Sequence, residues 1–88
     1  PLGVLLLARQ AGDHAEPGVR RWLEWLDARG KEYGLVVVDD ASDDGTAEKI
    51  QALVHPRLRV IRHESPKGEG AALRTGLAAL EQPLLFYT

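Results

Sequence analysis

Short unbroken apolar runs alternate along the chain with stretches whose apolar residues recur every three or four positions. Residues 4–8, 35–38 and 84–87 are runs of the first kind, and residues 58–61, with Arg59 inside, read as a further strand. Each is strand-sized and bounded by polar or turn residues, the pattern of a strand buried on both faces. Between the first two runs, Pro17 can occupy the opening turn of a helix, where its missing N–H is harmless. Val19, Trp22, Leu23 and Leu26 then follow the i, i+3, i+4, i+7 spacing of one helical face, and Gly30 is a helix stop. Trp25 falls off that stripe, which places it at a packing edge. A second helix starts after Gly45, with Thr46 as a side-chain cap and Asp43 and Asp44 at its positive end. Ile50, Leu53 and Val54 form its apolar face, and Pro56 forbids its continuation. A third helix opens at Gly68 or Gly70, with Leu73, Leu77 and Leu80 as its buried line. Strands alternating with helices predict right-handed crossovers and a mostly parallel sheet in a three-layer α/β/α arrangement, with strand order 3-2-1-4.

Composition narrows the function classes. At 88 residues the chain is one small domain. A formal charge of -2 and the lack of a basic stripe argue against nucleic acid as a partner. No cysteine is present, so disulfides and thiolate metal sites are excluded. No apolar run reaches the length of a membrane span. Pro1 stands where Met would begin a protein, and an apolar run reaches nearly to Thr88, so the sequence reads as a fragment.

The richest chemistry lies where the second strand ends, in residues 35–46, LVVVDDASDDGT. Ligands of open α/β sheets bind beyond the carboxyl ends of the strands, and Asp39 and Asp40 sit at such an end. Successive strand residues point to opposite faces, so the two carboxylates have different roles. One can face the crevice and accept N–H groups of a nucleobase; alone, the pair equally fits solvated carboxylates ending a strand or capping a helix. Asp43, Asp44 and Thr46 are explained locally, as partners of the free N–H groups of a starting helix. Residues 67–70, Lys-Gly-Glu-Gly, form a glycine-rich turn before a helix with a cation beside it. Its N–H groups and Lys67 can face a phosphate, although such glycines are also ordinary turn chemistry. His14, His55 and His63 have no ligand spacing among them, which gives them surface or loop roles. Arg62 and Arg74 are charged groups on a strand edge and a helix face.

Two alternatives fail on spacing. A dinucleotide-binding unit needs G-x-G-x-x-G after its first strand, which residues 9–13 lack, and Gly68-x-Gly70 is followed by Leu73 where the third glycine belongs. A phosphoacceptor receiver domain carries its acidic pair after the first strand, whereas this pair follows the second.

The stretch VVVDDASDDGT resembles the signature of family 2 glycosyltransferases: an apolar strand, two Asp, a small residue, Ser, any residue, then Asp-Gly-Thr. Residues 65–76, SPKGEGAALRTG, are similar to an element of the dolichyl-phosphate sugar transferase branch. The resemblance implies a Rossmann-like sheet forming the amino-terminal part of a GT-A fold. It implies that residues 1–88 are the nucleotide-binding portion, ending before the Asp-x-Asp motif that holds Mg²⁺ or Mn²⁺. The implied reaction is hexosyl-type transfer from a UDP- or GDP-linked sugar to an acceptor hydroxyl, with polyprenyl phosphate a possible acceptor. The implied location is cytoplasmic, or the cytoplasmic face of a membrane through segments outside this chain. By that resemblance Asp40 reads the base, Asp39 steadies the loop or the ribose side, and Lys67, Gly68 and Gly70 close the nucleotide-sugar pocket. The family's first strand usually ends in Pro-x-Tyr-Asn-Glu; residues 8–12 here read ARQAG, so no roles transfer there. With neither catalytic residues nor metal ligands in it, the chain alone is expected to be inactive. The alternative is a non-catalytic α/β nucleotide-binding or interaction module.

Overall fold

The computed structural model describes residues 2–10, 12–30, 32–81 and 83–87, with 84–87 described by their backbone. Ala11, in the departing stretch after the first strand, and Thr88, which the resemblance places next to the metal motif, lie outside the described residues. Four strands, β1 (Leu2–Ala8), β2 (Tyr33–Asp40), β3 (Leu58–His63) and β4 (Leu84–Tyr87), form one sheet in the order β3-β2-β1-β4. All three pairings are parallel. The expected order is therefore observed. Register runs from Leu2 opposite Tyr33 to Ala8 opposite Asp39, and from Leu35 opposite Leu58 to Asp40 opposite His63. The carboxyl ends of β1, β2 and β3 thus lie side by side.

Among the described residues, α1 (Ala15–Ala28), α2 (Thr46–Gln51) and α3 (Glu69–Ala79) cover the sheet, with a 3-10 turn at Gly12–His14 leading into α1. Strand alternation splits the core in two. Val4, Leu6, Leu35 and Val37 pack with Val19, Leu23 and Leu26 of α1 and Ile50 of α2. Leu5, Val36 and Val38 pack on the opposite face with Ala72 of α3. Burying both faces of β2 explains its unbroken run of valines. The three layers anticipated from the sequence are present.

Two helix faces differ from expectation. Apolar spacing puts residue 77 in the buried line of α3, yet Leu77 is exposed and the buried positions are Ala72 and Gly76. The reason is distance: a Cβ at Gly76 would lie 2.2 Å from Leu5 Cδ1, so only a small-residue face lets α3 approach the sheet this closely. Helix α2 ends at Gln51, one turn earlier than its apolar pattern implies, so Ile50 is buried while Val54 is 93% exposed. Trp25 sits at an edge as anticipated, edge-on to Trp22 and beneath the Arg29 guanidinium. No helix among the described residues is long and apolar enough to cross a membrane.

Candidate functional site

The loops after β1 and β2 are joined by side chains of the acidic stretch. The Gln10 N–H donates to Ser42 Oγ at 2.6 Å, and the Gly12 N–H donates to Thr46 Oγ1 at 3.1 Å. Gln10 and Asp43 exchange two bonds: Gln10 Nε2 donates to Asp43 Oδ1, and the Asp43 N–H donates to Gln10 Oε1. Lys49 adds an ion pair to Asp13 at 2.9 Å. Ser42, Asp43 and Thr46 thus stitch the two loops together. The sequence predicts Thr46 as a cap; instead Gly45 occupies that position with φ +80°, and Asp44 accepts the N–H and hydroxyl of Thr46. The Thr46 hydroxyl, ahead of its N–H, holds the Asp44 carboxyl below the usual carboxylate range. Gln10 and Ala41 are both left-handed, with φ +52° and +62°, so non-glycine strain gathers at this edge of the sheet.

Asp39 and Asp40 part company here. Asp39 points toward the α1/α2 layer and is fully buried. It accepts the Ser42 hydroxyl through Oδ1, while Oδ2 has no hydrogen-bond donor among the described residues. Its cross-strand neighbour Arg62 stands 4.0 Å from Oδ2 and holds the loop through the Ser42 carbonyl at 3.3 Å.

Asp40 points toward α3. Its Oδ1 accepts the Lys67 N–H at 2.9 Å and His63 Nδ1 at 3.0 Å, and its Oδ2 accepts the Gly68 N–H at 3.0 Å. The hydrogen bond from His63, then those from the Lys67 and Gly68 backbone, lower the Asp40 pKa from 3.8 to about 2. His63, assigned a surface or loop role from the sequence, is buried instead, and its Nε2 meets Thr75 Oγ1 at 2.9 Å. This partner is legible only by setting β3 against β2 in parallel register, which puts a base opposite each acid: Arg62 to Asp39, His63 to Asp40. Of the other two histidines, His14 is exposed beside α1, and His55 joins Asp27 and Tyr33 near the amino edge of the sheet.

An open cleft of about 410 Å³ lies where β1, β2 and the start of α3 meet. Leu7, Ala8 and Ala72 form its apolar part, and Arg9, Asp40, Gly68 and Glu69 its polar part. Gly68 turns the chain into α3 with φ +89°, a conformation suited to glycine. The Lys67 side chain and Gly70 are exposed beside it. Lys67, Gly68 and Asp40 are therefore brought together. Asp39 is not, since the sheet lies between it and the cleft. The N–H groups of Lys67 and Gly68, read from the sequence as possible phosphate ligands, already face the protein's own carboxylate. Arg9 is the cleft residue that the sequence reading missed, because the segment departs from the family pattern. A depression of about 450 Å³ on the outside of α1, lined by Gly18, Arg21, Trp22 and Trp25, is as large. It offers indole surface and one guanidinium where the α3 cleft offers an oriented carboxylate.

The described residues do not form a divalent-cation site. Asp39 and Asp40 face opposite sides of the sheet, and no group of three or more His, Asp or Glu side chains converges among the described residues.

A parallel sheet with an acidic β2 terminus, covered on both faces and open at its carboxyl edge, is consistent with the amino-terminal, Rossmann-like part of a GT-A fold. The family model described as Glycosyl transferase family 2 matches residues 14–87, and the chain belongs to that family. The succinoglycan biosynthesis protein ExoO of Rhizobium meliloti (strain 1021) is 35% identical over 69 residues, 78% of this chain and 20% of that protein. The chain thus spans about a fifth of the length of this curated relative.

Proposed function

We propose that this chain forms the nucleotide-facing wall of a glycosyltransferase that moves a sugar from a nucleoside-diphosphate donor to an acceptor hydroxyl. The observation that carries the proposal is the cleft at the carboxyl edge, with the Asp40 carboxylate held in fixed orientation above an apolar floor. Such a surface suits a nucleobase: Leu7, Ala8 and Ala72 offer contact to its ring face, and Asp40 accepts a ring N–H. Lys67 and Gly68 then act by holding Asp40 through their N–H groups, and the exposed Lys67 ammonium remains available to a phosphate at the mouth. Gly70 lies exposed in the first turn of α3, next to the Arg74 guanidinium. Asp39 supports the site from behind by tying the loop to Ser42. Arg9 supplies a cation on the wall, suited to a phosphate or to the face of a base.

We assign any Mg²⁺ or Mn²⁺ requirement, the catalytic base and any membrane attachment to residues outside this chain. Family membership and the similarity to a succinoglycan biosynthesis protein support glycosyl transfer. The resemblance of residues 65–76 supports a polyprenyl phosphate as acceptor. Calorimetric titration of UDP and GDP, each with Mn²⁺, into the full-length gene product tests the reading. Saturable binding of either nucleotide, with release of nucleoside diphosphate from a sugar donor, supports it. Binding without turnover of any donor leaves a non-catalytic nucleotide-binding module, and a folded protein that binds neither nucleotide overturns the proposal.

A further inference from the structure

A carboxylate offers about four lone-pair sites, two on each oxygen. Among the described residues, both sites of Asp40 Oδ1 are taken, one by the Lys67 N–H and one by His63 Nδ1, while Oδ2 accepts only the Gly68 N–H. An ionised carboxylate can only accept, so His63 carries a proton on Nδ1. In the neutral imidazole, Nε2 is then left to accept the Thr75 hydroxyl. Thr75 lies in α3 and His63 ends β3, so the ring is gripped from both sides and is almost wholly buried.

We infer that this mount determines which nucleobase the cleft accepts: His63 is a positioning residue that leaves Asp40 a single open acceptor site, fit for uracil. The inference rests on the proposed nucleotide-binding role of the cleft. Guanine presents N1–H and an exocyclic N–H side by side, a pair that a carboxylate reads with both oxygens. Oδ1 has no site left for the second donor. Uracil presents one ring N–H and needs one acceptor. Cytosine has no proton on the equivalent ring nitrogen and meets the carboxylate with a lone pair.

The test is titration of UDP, GDP and CDP into the full-length protein, its His63→Leu variant and its His63→Asn variant. Wild type is expected to bind UDP at least tenfold more tightly than either GDP or CDP. His63→Leu opens a second site on Oδ1 and frees the carboxylate to turn, so the UDP-to-GDP ratio falls to within about threefold. His63→Asn places an amide N–H where Nδ1 stood and restores the ratio. A residue that only supports the fold would weaken all nucleotides together and leave the ratio unchanged. An unchanged ratio in folded His63→Leu, or a wild-type preference for GDP, overturns the inference while nucleotide binding itself stands. Failure of all three nucleotides to bind wild type overturns both. Should His63→Leu not fold, His63→Phe keeps a ring of similar shape in place and removes the Nδ1 donor to Asp40. A narrowed ratio then supports the inference, and an unchanged one overturns it.

Discussion

Asp39 and Asp40 are adjacent and chemically identical, yet the two faces of β2 give them opposite surroundings. On the α1/α2 face, Asp39 is sealed beneath a loop, bonded to Ser42, with one oxygen left to a guanidinium 4.0 Å away. On the α3 face, Asp40 is bonded to three donors and borders an open cleft. The side-chain period of a strand is two residues, so a one-residue step exchanges a sealed structural tie for an acceptor that borders the cleft. The contrast shows how a doubled acidic motif can serve two purposes with a single residue type. It also shows that the glycine-rich loop and the acidic strand end are one assembly, because the N–H groups of the loop hold the carboxylate of the strand.

The contrast can be broken most severely at Asp40. Asp40→Ala leaves the Lys67 and Gly68 N–H groups and His63 without their acceptor. It is expected to lower the urea midpoint of the full-length protein more than Ser42→Ala or Gly76→Ala does, and to weaken nucleotide binding at least tenfold by calorimetry. On the other face, Ser42→Ala removes the donor to Asp39 and the acceptor of the Gln10 N–H. A loss of about 1–3 kcal/mol in urea unfolding is expected, the range for buried groups left without partners.

A smaller effect is expected at Gly76, which sets the distance between α3 and the sheet. The Cβ of Gly76→Ala would meet Leu5 at 2.2 Å, and such overpacking costs about 1–3 kcal/mol. Improved helix propensity returns about 1 kcal/mol. Thermal unfolding should therefore show a modest net loss, and Gly76→Val a larger one.

The acid response gives a finer distinction. The folded Asp40 pKa, about 2, lies below its ordinary value of 3.8. A depressed carboxylate pKa contributes stability that is fully present above the ordinary value and is lost as pH falls through the folded value. The difference in stability between wild type and Asp40→Ala should therefore be constant above about pH 5 and shrink from about pH 4 to pH 2. Denaturant titrations across that interval check it. A difference that stays flat down to pH 2 would mean that the donors around Asp40 do not favour its charged form.

The strands, their order and the acidic terminus of β2 were legible because each is a local pattern: an apolar run, a turn, a pair of carboxylates. His63 was not, because its meaning comes from the strand beside it. Only the register Leu35 opposite Leu58 carries His63 to Asp40. The packing face of α3 was misread for a related reason. Leu73 and Leu80 pack partly buried against the core, but the helix is held close enough that Ala72 and Gly76 face the sheet most directly and Leu77 turns outward. The doubled aspartate and strand alternation foretold two different surroundings, and the structure shows them. The identity of the donors around Asp40 needed the folded loop.

The central claim is that Asp40, and not Asp39, faces the nucleotide. The most direct test is UDP affinity of the full-length protein carrying Asp39→Asn or Asp40→Asn, measured side by side by calorimetry. These nearly isosteric changes preserve side-chain size and replace one acceptor oxygen with a donor, which at Asp40 sets an amide N–H against a donor from His63, Lys67 or Gly68. Asp40→Asn is expected to weaken UDP at least tenfold while Asp39→Asn stays within about threefold of wild type. Equal losses in the two variants, or a larger loss at Asp39, would contradict the account.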